Sequence, residues 1–312
     1  MPFHSGFVCI LGRPNAGKST LLNALVGEKL AIISPKPQTT RNRIQGIVNL
    51  PKGEGYRGAQ IVLIDTPGVH RPDSSLGRKM MVEVREALEG CDVVLLIMDA
   101  TRKLEERDEF ALQMLKHSPA KVCLVLNKVD LLRGGKAKLL PLIEEYKRLH
   151  QFYAIVPISA LKRDGLDILL KQVTLALPAG PAYFSPGQIT DQPARFMAAE
   201  IIRERVLVDT KQELPYASTV IVDSFEQRAR LTRISATIYC EREGQKGILI
   251  GKKGQRLKRI GTSARLQIEK MMGTKVFLEL FVKVQPNWRQ SRTFVEELDW
   301  RKQLDDLISG PA

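Results

Sequence analysis

The feature that most constrains the fold is an alternation of two kinds of segment between Gly6 and about Leu177. Short apolar runs rich in β-branched residues, such as FVCILG, AQIVLID and KVCLVLNK, alternate with segments of helical periodicity, such as GRKMMVEVREALE and LLPLIEEYKRL. Strands that are apolar throughout are typical of a mostly parallel sheet with helices on both faces. We therefore predict an α/β domain over residues 1–176, with its ligand site in the loops at the carboxyl ends of the strands.

The pattern changes after this domain. Residues 177–192 (LPAGPAYFSPGQITDQ) are rich in Pro and Gly and lack periodicity, which predicts an interdomain linker. Residues 193–312 then follow the order helix, strand, strand, helix, helix, strand, with a C-terminal segment of helical pattern. This order predicts a second, α+β domain of ordinary size.

The overall charge points to an anionic partner. The 312 residues include 48 Lys and Arg against 34 Asp and Glu, a net charge of +14, which favours nucleic acid or an acidic membrane surface. The four cysteines are widely spaced without a C-x-x-C, so we interpret them as buried, inert thiols rather than disulfides or metal ligands. No apolar run approaches the ~18 residues of a membrane span, and we expect a soluble, cytoplasmic protein.

A phosphate-binding loop follows the first predicted strand. The sequence GRPNAGKS fits G-x-x-x-x-G-K-[ST] and leads into a helix. Its glycines let backbone N–H groups surround phosphates, and the helix N-terminus adds partial positive charge. Lys18 is predicted to reach the β- and γ-phosphates, and the Ser19 hydroxyl to bind Mg²⁺. The predicted phosphate-binding residues are Gly12, Arg13, Pro14, Asn15, Ala16, Gly17, Lys18 and Ser19, together with Gly68 further along the chain.

The second loop, DTPG, ends the strand AQIVLID. A carboxylate at this strand end holds Mg²⁺ in P-loop proteins, usually through water, so Asp65 is the second predicted metal ligand. The backbone N–H of Gly68 can bind the γ-phosphate. We assign switch II to Asp65, Thr66, Pro67, Gly68 and Val69.

Two further loops predict which base the bound nucleotide carries. Asn127-Lys128-Val129-Asp130 follows the strand KVCLVL, and the Asp130 carboxylate can accept two hydrogen bonds from guanine, for which adenine has no matching donors. The Asn127 amide can brace the loop and the Lys128 stem can cover the base. Ser159 and Ala160 end the next strand, where the Ala160 N–H could meet the guanine oxygen. We therefore predict a guanine-binding site.

In this order, the four loops resemble a translation-factor-class GTPase domain. The resemblance implies that the segment SPKPQTTRNR is switch I, and that Thr40, or alternatively Thr39, completes the Mg²⁺ coordination. Val69 stands where Ras-like proteins carry a glutamine that orients water, so we expect slow intrinsic hydrolysis. In related GTPases that lack this glutamine, the asparagine at the position of Asn15 helps to hold K⁺, which makes K⁺ dependence a hypothesis.

The second domain carries a candidate nucleic-acid loop. Between Gly244 and Ile268 there are seven basic residues and no acidic one. A G-x-x-G loop that leads into a helix is typical of KH domains, which clamp about four single-stranded nucleotides. The predicted RNA-binding residues are Gly251, Lys252, Lys253, Gly254, Arg256 and Lys258. The predicted core face of the following helix is Leu257, Ile260, Ala264, Ile268 and Met271. A solvated basic face and binding to anionic lipid are the alternatives.

A GTPase domain followed by a type II KH domain resembles the Era family of bacterial ribosome-assembly GTPases over essentially the whole chain. The segments RFMAAEIIRE, ELPYAS and EREGQKGILIGKKG also carry this resemblance. It implies GTP and GDP binding with Mg²⁺, slow hydrolysis, and recognition of the 3′ end of 16S rRNA during 30S subunit assembly. It also implies peripheral association with the cytoplasmic face of the membrane, and we expect a monomer. The alternatives are an RNA-binding scaffold with a poorly hydrolysing G domain and a membrane-associated regulatory GTPase.

Overall fold

The computed structural model describes residues 2–34, 36, 39–53, 58–116, 118–132, 135–210 and 214–301. The chain forms two compact units. The first comprises the residues up to Arg71 and Met80–Asp191, and the second comprises Pro72–Lys79 and the residues from Gln192 onward.

The first unit contains a six-stranded sheet in the order β2-β3-β1-β4-β5-β6. The strands are β1 (His4–Leu11), β2 (Ile44–Leu50), β3 (Ala59–Asp65), β4 (Val93–Asp99), β5 (Lys121–Asn127) and β6 (Ala154–Pro157). The first five helices of the chain are α1 (Lys18–Val26), α2 (Ser75–Glu89), α3 (Glu106–Leu115), α4 (Leu139–Leu149) and α5 (Leu166–Ala176). Only β2, which pairs with β3, runs antiparallel within this sheet. The predicted mostly parallel sheet is confirmed.

The central strand β1 explains why the sequence alternates as it does. Every residue from Val8 to Leu11 is fully buried. Successive side chains of a strand point to opposite faces, so both faces of β1 are covered. Cys9 and Leu11 pack in a cluster with residues of α2, α3 and α4. All four cysteines are buried as free thiols, as predicted.

Residues 177–191 of the segment predicted as a linker belong to the first unit. The Gln60 side chain of β3 is fully buried and makes several hydrogen bonds to this segment. Its Oε1 accepts from the backbone N–H groups of Tyr183 (2.7 Å) and Phe184 (2.9 Å), and its Nε2 donates to the Phe184 carbonyl (2.9 Å). One buried amide therefore holds the middle of the segment in place.

The end of this segment lies beside β2, the first strand in the sheet order. The backbone N–H of Ile47 donates to the Ile189 carbonyl (2.9 Å), and the Thr190 hydroxyl donates to the Gln45 carbonyl (2.6 Å). Backbone groups that an edge strand would otherwise expose are thus paired within the same unit.

The second unit contains a three-stranded sheet in the order β7-β8-β9. Its further elements are α6 (Ala194–Asp209), α7 (Leu214–Ala217), β7 (Thr219–Gln227), β8 (Leu231–Cys240), α8 (Glu243–Ile250), α9 (Gln255–Met272), β9 (Lys275–Val284) and α10 (Arg292–Glu297). β7 and β8 are antiparallel, whereas β8 and β9 are parallel. The order helix, strand, strand, helix, helix, strand follows the prediction, and residues 302–312 of the predicted C-terminal helix lie outside the described residues.

The core of this unit lies between the sheet and its long helices. Ile260, Ala264 and Ile268 of α9 are fully buried against alternate residues of β8, and Leu257 is partly buried there. Met271, predicted for the same face, is instead 39% exposed, because Met272, four residues after Ile268, continues that face and packs against the core.

Other parts of the second unit complete its packing. Trp288 is fully buried and its indole N–H donates to the Ala217 carbonyl (2.9 Å), so it packs inside this unit. Residues Pro72–Lys79 also belong to this unit, where the Ser75 hydroxyl donates to the Gln290 carbonyl (2.7 Å). Among the described residues, no helix has both the length and the hydropathy needed to cross a bilayer.

Candidate nucleotide site and nucleic-acid interface

The loop between β1 and α1 curls around the Lys18 ammonium. Asn15 and Gly17 both have a left-handed backbone (φ 63° and 105°), and the Lys18 Nζ donates to the carbonyls of Gly12 (3.1 Å) and Arg13 (3.0 Å). Lys18 is only 6% exposed. Burial lowers its pKa to about 8, although the charges of Asp65 and Cys9 act in the opposite direction. A buried cation held at a helix N-terminus is well placed to bind phosphate.

Arg13 contributes to this loop through its backbone. Its guanidinium pairs with Glu105 (2.7 Å) and Asp108 (3.1 Å) at the start of α3. Arg13 was predicted among the phosphate-binding residues, and the structure directs its side chain to α3, so the part of Arg13 left for phosphate is its backbone. Ala16 is buried and Pro14 lines the adjoining cavity.

Three oxygen-bearing side chains converge beside Lys18. The Ser19 hydroxyl donates to Asp65 Oδ2 (2.7 Å), the Thr40 hydroxyl donates to the same oxygen (3.2 Å), and the two hydroxyl oxygens are 2.9 Å apart. Thr39 instead donates to the Lys36 carbonyl (2.6 Å), so Thr40 is the switch I threonine that faces Asp65.

This cluster suits a hard divalent cation. The second carboxylate oxygen of Asp65 is buried and has no hydrogen-bond partner among the described residues. Burial raises the pKa of Asp65, while Lys18, Ser19 and Thr40 act to lower it. Hydroxyl and carboxylate oxygens are the ligands that Mg²⁺ takes at P-loop sites, together with phosphate oxygens. The residues present therefore fit Mg²⁺.

The four residues after Asp65, from Thr66 to Val69, are all buried, and the Val69 side chain lies in the core. The Val69 side chain is fully buried in the cluster that contains Cys9 and Leu11, and its backbone N–H donates to the Gly12 carbonyl (3.1 Å). Thr66 donates to the Ile10 carbonyl (2.7 Å), and Pro67 is buried beside it. Val69 offers no polar atom for water, which agrees with the prediction that it cannot orient a nucleophile.

Asn127 joins two of the predicted loops. Its Nδ2 donates to the Ala16 carbonyl (2.8 Å), and its Oδ1 accepts from the Ala160 N–H (2.9 Å). Both contacts are buried, and Asn127 is 3% exposed. The phosphate loop and the Ser159-Ala160 loop are thus tied through one amide, which is the bracing role predicted for Asn127. The Ala160 N–H, predicted to meet the guanine oxygen, donates to Asn127 instead.

Asp99 at the end of β4 is a site residue that the sequence reasoning missed. Its carboxylate pairs with the Lys128 ammonium (2.7 Å) and accepts from the Thr101 hydroxyl (2.6 Å). Burial acts to raise the pKa of Asp99, but the hydrogen bonds from Lys128 and Thr101 outweigh it, and the pKa lies below its usual range. The sequence MDAT at a strand end was the available signal. Asp99 fixes the Lys128 stem that is predicted to cover the base.

These loops surround a cavity of about 490 Å³, a size typical of ligand sites. Most of the predicted phosphate, switch I and base residues line it, including Asp130, whose carboxylate is exposed. The sequence reasoning did not identify Arg102, Leu131 and Leu161, which also line the cavity. Their side chains are exposed, and Leu131 and Leu161 directly follow Asp130 and Ala160 of the two predicted base loops.

The candidate RNA loop lies between α8 and α9. Gly251, Lys253 and Gly254 all have positive φ (71°, 50° and 76°), so the chain reverses sharply and projects its lysines. Lys252, Lys253 and Lys258 are exposed. These three lysines form no ion pair within the described part of the chain. They are available to anionic groups.

Arg256, the remaining predicted RNA ligand, has a structural contact. Its guanidinium donates to the Ile248 carbonyl (2.5 Å) near the end of α8, and its side chain is half-buried. This bond satisfies a carbonyl that a helix end leaves without an intrahelical partner. Arg256 therefore shapes the loop as well as adding positive charge.

Comparison with known proteins identifies the family. A model described as "50S ribosome-binding GTPase" matches residues 7–128, and a KH-domain model matches residues 213–289. GTPase Era from Geobacter metallireducens is 51% identical over 96% of this chain and 98% of its own length. GTPase Era from Ruminiclostridium cellulolyticum is 46% identical over 96% and 99%, respectively. This chain belongs to the Era GTPase family.

Solved Era structures have the same architecture. A variant of Era from Aquifex aeolicus bound to GDP and aluminium fluoride is 42% identical, with a TM-score of 0.89 over 95% of this chain and 99% of the other. Era in complex with MgGDPNP and nucleotides 1506–1542 of 16S rRNA is 42% identical, with a TM-score of 0.90 over the same shares. The chain is therefore a GTPase with a P-loop domain followed by a KH domain.

Proposed function

We propose that this Era-family GTPase binds GTP and GDP with Mg²⁺ in the cavity of the first unit. Through the loop Gly251–Gly254 of its second unit it binds the 3′ end of 16S rRNA, and it acts in 30S subunit assembly. The observation that carries the nucleotide site is the convergence of Ser19 and Thr40 on Asp65 beside a buried Lys18. The exposed lysines between two glycines, and the solved Era complex with 16S rRNA nucleotides, support the RNA site.

Each part of the cavity has a distinct task. Lys18 and the loop N–H groups bind the phosphate oxygens, and Ser19, Thr40 and Asp65 hold Mg²⁺, which supplies charge neutralisation at the β- and γ-phosphates. Asp130 accepts hydrogen bonds from guanine. This division predicts that the phosphate side fixes overall affinity and the Asp130 side fixes the choice of base.

The choice of base is tested at Asp130. Calorimetry on the wild type should show GDP binding with no comparable heat from ADP. Asp130→Ala should weaken GDP at least about 100-fold, since two hydrogen bonds to a charged acceptor are lost, and it should leave the weak ADP binding unchanged. Asp167→Ala, an exposed carboxylate outside the cavity, is the matched control. Equal affinity of the wild type for GDP and ADP would refute guanine recognition.

Hydrolysis is proposed to be slow and K⁺-assisted. Val69 faces the core, while Asn15 lines the cavity in a left-handed conformation. A K⁺ ion beside Asn15 would add positive charge near the phosphates in the manner of an arginine finger. Turnover measured in KCl should exceed that in NaCl, and Asn15→Ala should remove the difference. Equal rates in the two salts for the wild type would rule out this use of K⁺.

The RNA site is tested by charge reversal. Lys252→Asp combined with Lys253→Asp should lower affinity for an oligonucleotide of the 16S 3′ end at least about tenfold at moderate salt. GDP affinity should stay unchanged. Reversal of Lys52 and Lys171, exposed lysines of the first unit, provides a control of equal charge. RNA affinity that survives in the first double variant would show that the G-x-x-G loop is not the site.

The GTPase is proposed to act as a switch rather than as an RNA-binding scaffold. GTP hydrolysis measured with and without the 16S oligonucleotide, together with RNA affinity measured with GTP and with GDP, separates these two functions. Binding free energies of two linked sites are reciprocal, so an RNA affinity that depends on the nucleotide is the thermodynamic sign of coupling. Stimulation by RNA, or tighter RNA binding with GTP than with GDP, supports the switch. RNA binding that is indifferent to the nucleotide supports the scaffold.

A cytoplasmic monomer with peripheral membrane association completes the proposal. The exposed basic residues that suit RNA also suit anionic headgroups. Flotation with vesicles of phosphatidylglycerol should carry the protein upward, and vesicles of phosphatidylcholine should not. Light scattering after size-exclusion chromatography should give the mass of one chain.

A further inference from the structure

The second unit has a sheet face that the RNA loop does not use. One face of β8 packs against the helices through Ile234, Ala236 and Ile238. Because side chains alternate along a strand, the neighbouring strand β9 directs Phe277 and Phe281 to the opposite face. These rings are 47% and 51% exposed. Single exposed apolar residues are ordinary, but two aromatic rings on one side of one edge strand form a patch.

Basic side chains surround this aromatic pair. The parallel register places Arg233 of β8 opposite Phe277, and the Arg233 guanidinium lies 5.6 Å from the centre of that ring. Arg228 and Arg230 lie at the turn between β7 and β8, and Lys275 begins β9 at the same end of the sheet. All four basic residues are exposed. This end of the face is strongly cationic.

Two carboxylates partly offset that positive charge. Glu226 pairs with Arg228 (3.2 Å), and Glu279 lies between the two phenylalanines on the same face of β9. A carboxylate at the position of Glu279 repels phosphate, but it can accept hydrogen bonds from the amino groups of bases. The charge distribution therefore favours phosphates near Lys275 and Arg230 and bases near the rings.

The face belongs to the strand that packs against α9, and its Lys275 end follows the C-terminus of that helix. β9 is the last strand in the sheet order, and its inner residue Leu280 packs against α9, where a Cβ at Gly261 would lie 3.3 Å from the leucine. The N-terminus of α9 carries the Gly251–Gly254 loop. An RNA strand held by that loop and running along α9 reaches the outer face by crossing the edge of β9.

The spacing of the rings fits separate bases. Four residues along a strand span about 13 Å, whereas stacked bases lie about 3.4 Å apart. Each phenylalanine would therefore take a base of its own. Aromatic side chains on an open sheet are a recurrent platform for single-stranded RNA, and the stacking tolerates any base sequence.

We propose that the outer face of β9, together with the adjoining start of β8, is a second contact for single-stranded RNA, on which Phe277 and Phe281 each stack on a base. Arg230 and Lys275 contact phosphates at the same end. This inference rests on the proposed RNA binding and extends it beyond the nucleotides that the G-x-x-G loop clamps.

The test compares two RNAs from the 3′ end of 16S rRNA. One has about four nucleotides, the length a KH loop clamps, and the other has about 20. Phe277→Ala combined with Phe281→Ala should bind the short RNA as the wild type does. It should bind the long RNA at least about tenfold more weakly, because each stacked base contributes roughly 5- to 150-fold in affinity. Both rings are about half exposed, so circular dichroism should show an intact fold.

Two conservative variants separate stacking from apolar contact. Tyrosine at both positions should retain affinity for the long RNA, and leucine at both positions should lose it. Unchanged affinity of the alanine variant for the long RNA would overturn this inference and leave the face to a protein partner. Failure of the wild type to bind either RNA would instead overturn the proposed function, so the two failures are distinguishable.

Discussion

Asn127 offers a quantitative test of the nucleotide site, because its amide makes two buried hydrogen bonds between loops. Asn127→Ala removes both and leaves the Ala16 carbonyl and the Ala160 N–H without partners. A net hydrogen bond contributes about 1 kcal/mol, and a buried group left unsatisfied costs about 1–3 kcal/mol. The expected loss in free energy of unfolding is about 2–4 kcal/mol. GDP should also dissociate at least about tenfold faster, since neither loop is then fixed.

The assay follows urea unfolding by far-ultraviolet circular dichroism and GDP release with a fluorescent GDP analogue. Both tryptophans, Trp288 and Trp300, lie in the second unit, so a shift seen by dichroism but not by tryptophan fluorescence assigns the loss to the first unit. Asn49→Ala removes one part-buried hydrogen bond from the Gln60 Nε2, which still donates to the Phe184 carbonyl, so it should cost about 1 kcal/mol or less. An unfolding free energy for Asn127→Ala within about 0.5 kcal/mol of the wild type would refute this reasoning.

Three further variants probe other parts of the chain. Gly251→Ala should lower RNA affinity about fivefold or more in anisotropy titrations and leave GDP affinity unchanged. The reason is strain, because φ at Gly251 is 71° and the added Cβ would lie 2.8 Å from the Arg256 Cβ. Unchanged RNA affinity would show that this strain does not disturb the loop. In calorimetry, wild-type protein should bind GTP more tightly with Mg²⁺ than with EDTA. Ser19→Ala should reduce this Mg²⁺-dependent gain in affinity about tenfold or more, as expected for a lost metal ligand. An undiminished gain in the variant would show that Ser19 is not part of the metal site. Gln60→Met should speed limited proteolysis within residues 177–192 about tenfold, since the segment loses its hydrogen bonds; an unchanged cleavage rate would contradict the role of Gln60.

The sequence predicted the sheet and the nucleotide loops because both depend on local patterns. Continuous apolar strands such as Val93–Asp99 report burial on both faces, and the phosphate loop needs Gly and Lys at fixed spacing whatever surrounds them. The antiparallel strand β2 was not identified, since IQGIVNL lacks a clear alternation and its direction depends on pairing with β3. Orientation within a sheet is a tertiary property.

Side-chain partners over long separations could not be predicted. Arg13 looked like a phosphate ligand by position, but Glu105 and Asp108, more than 90 residues away, hold its guanidinium. Asp99 holds Lys128 from another strand. The choice between Thr39 and Thr40 likewise needed the structure, because both carry the same group and only the backbone decides which one meets Asp65.

The segment that follows α5 affects how readily the first unit aggregates in a concentrated solution. An uncovered border strand is a template on which a second chain can add itself, the first step of ordered aggregation. Here Ile189 and Thr190 already occupy part of the margin at β2, and the opposite margin, β6, is only four residues long and ends in Pro157. Neither side of the sheet offers a long template for growth.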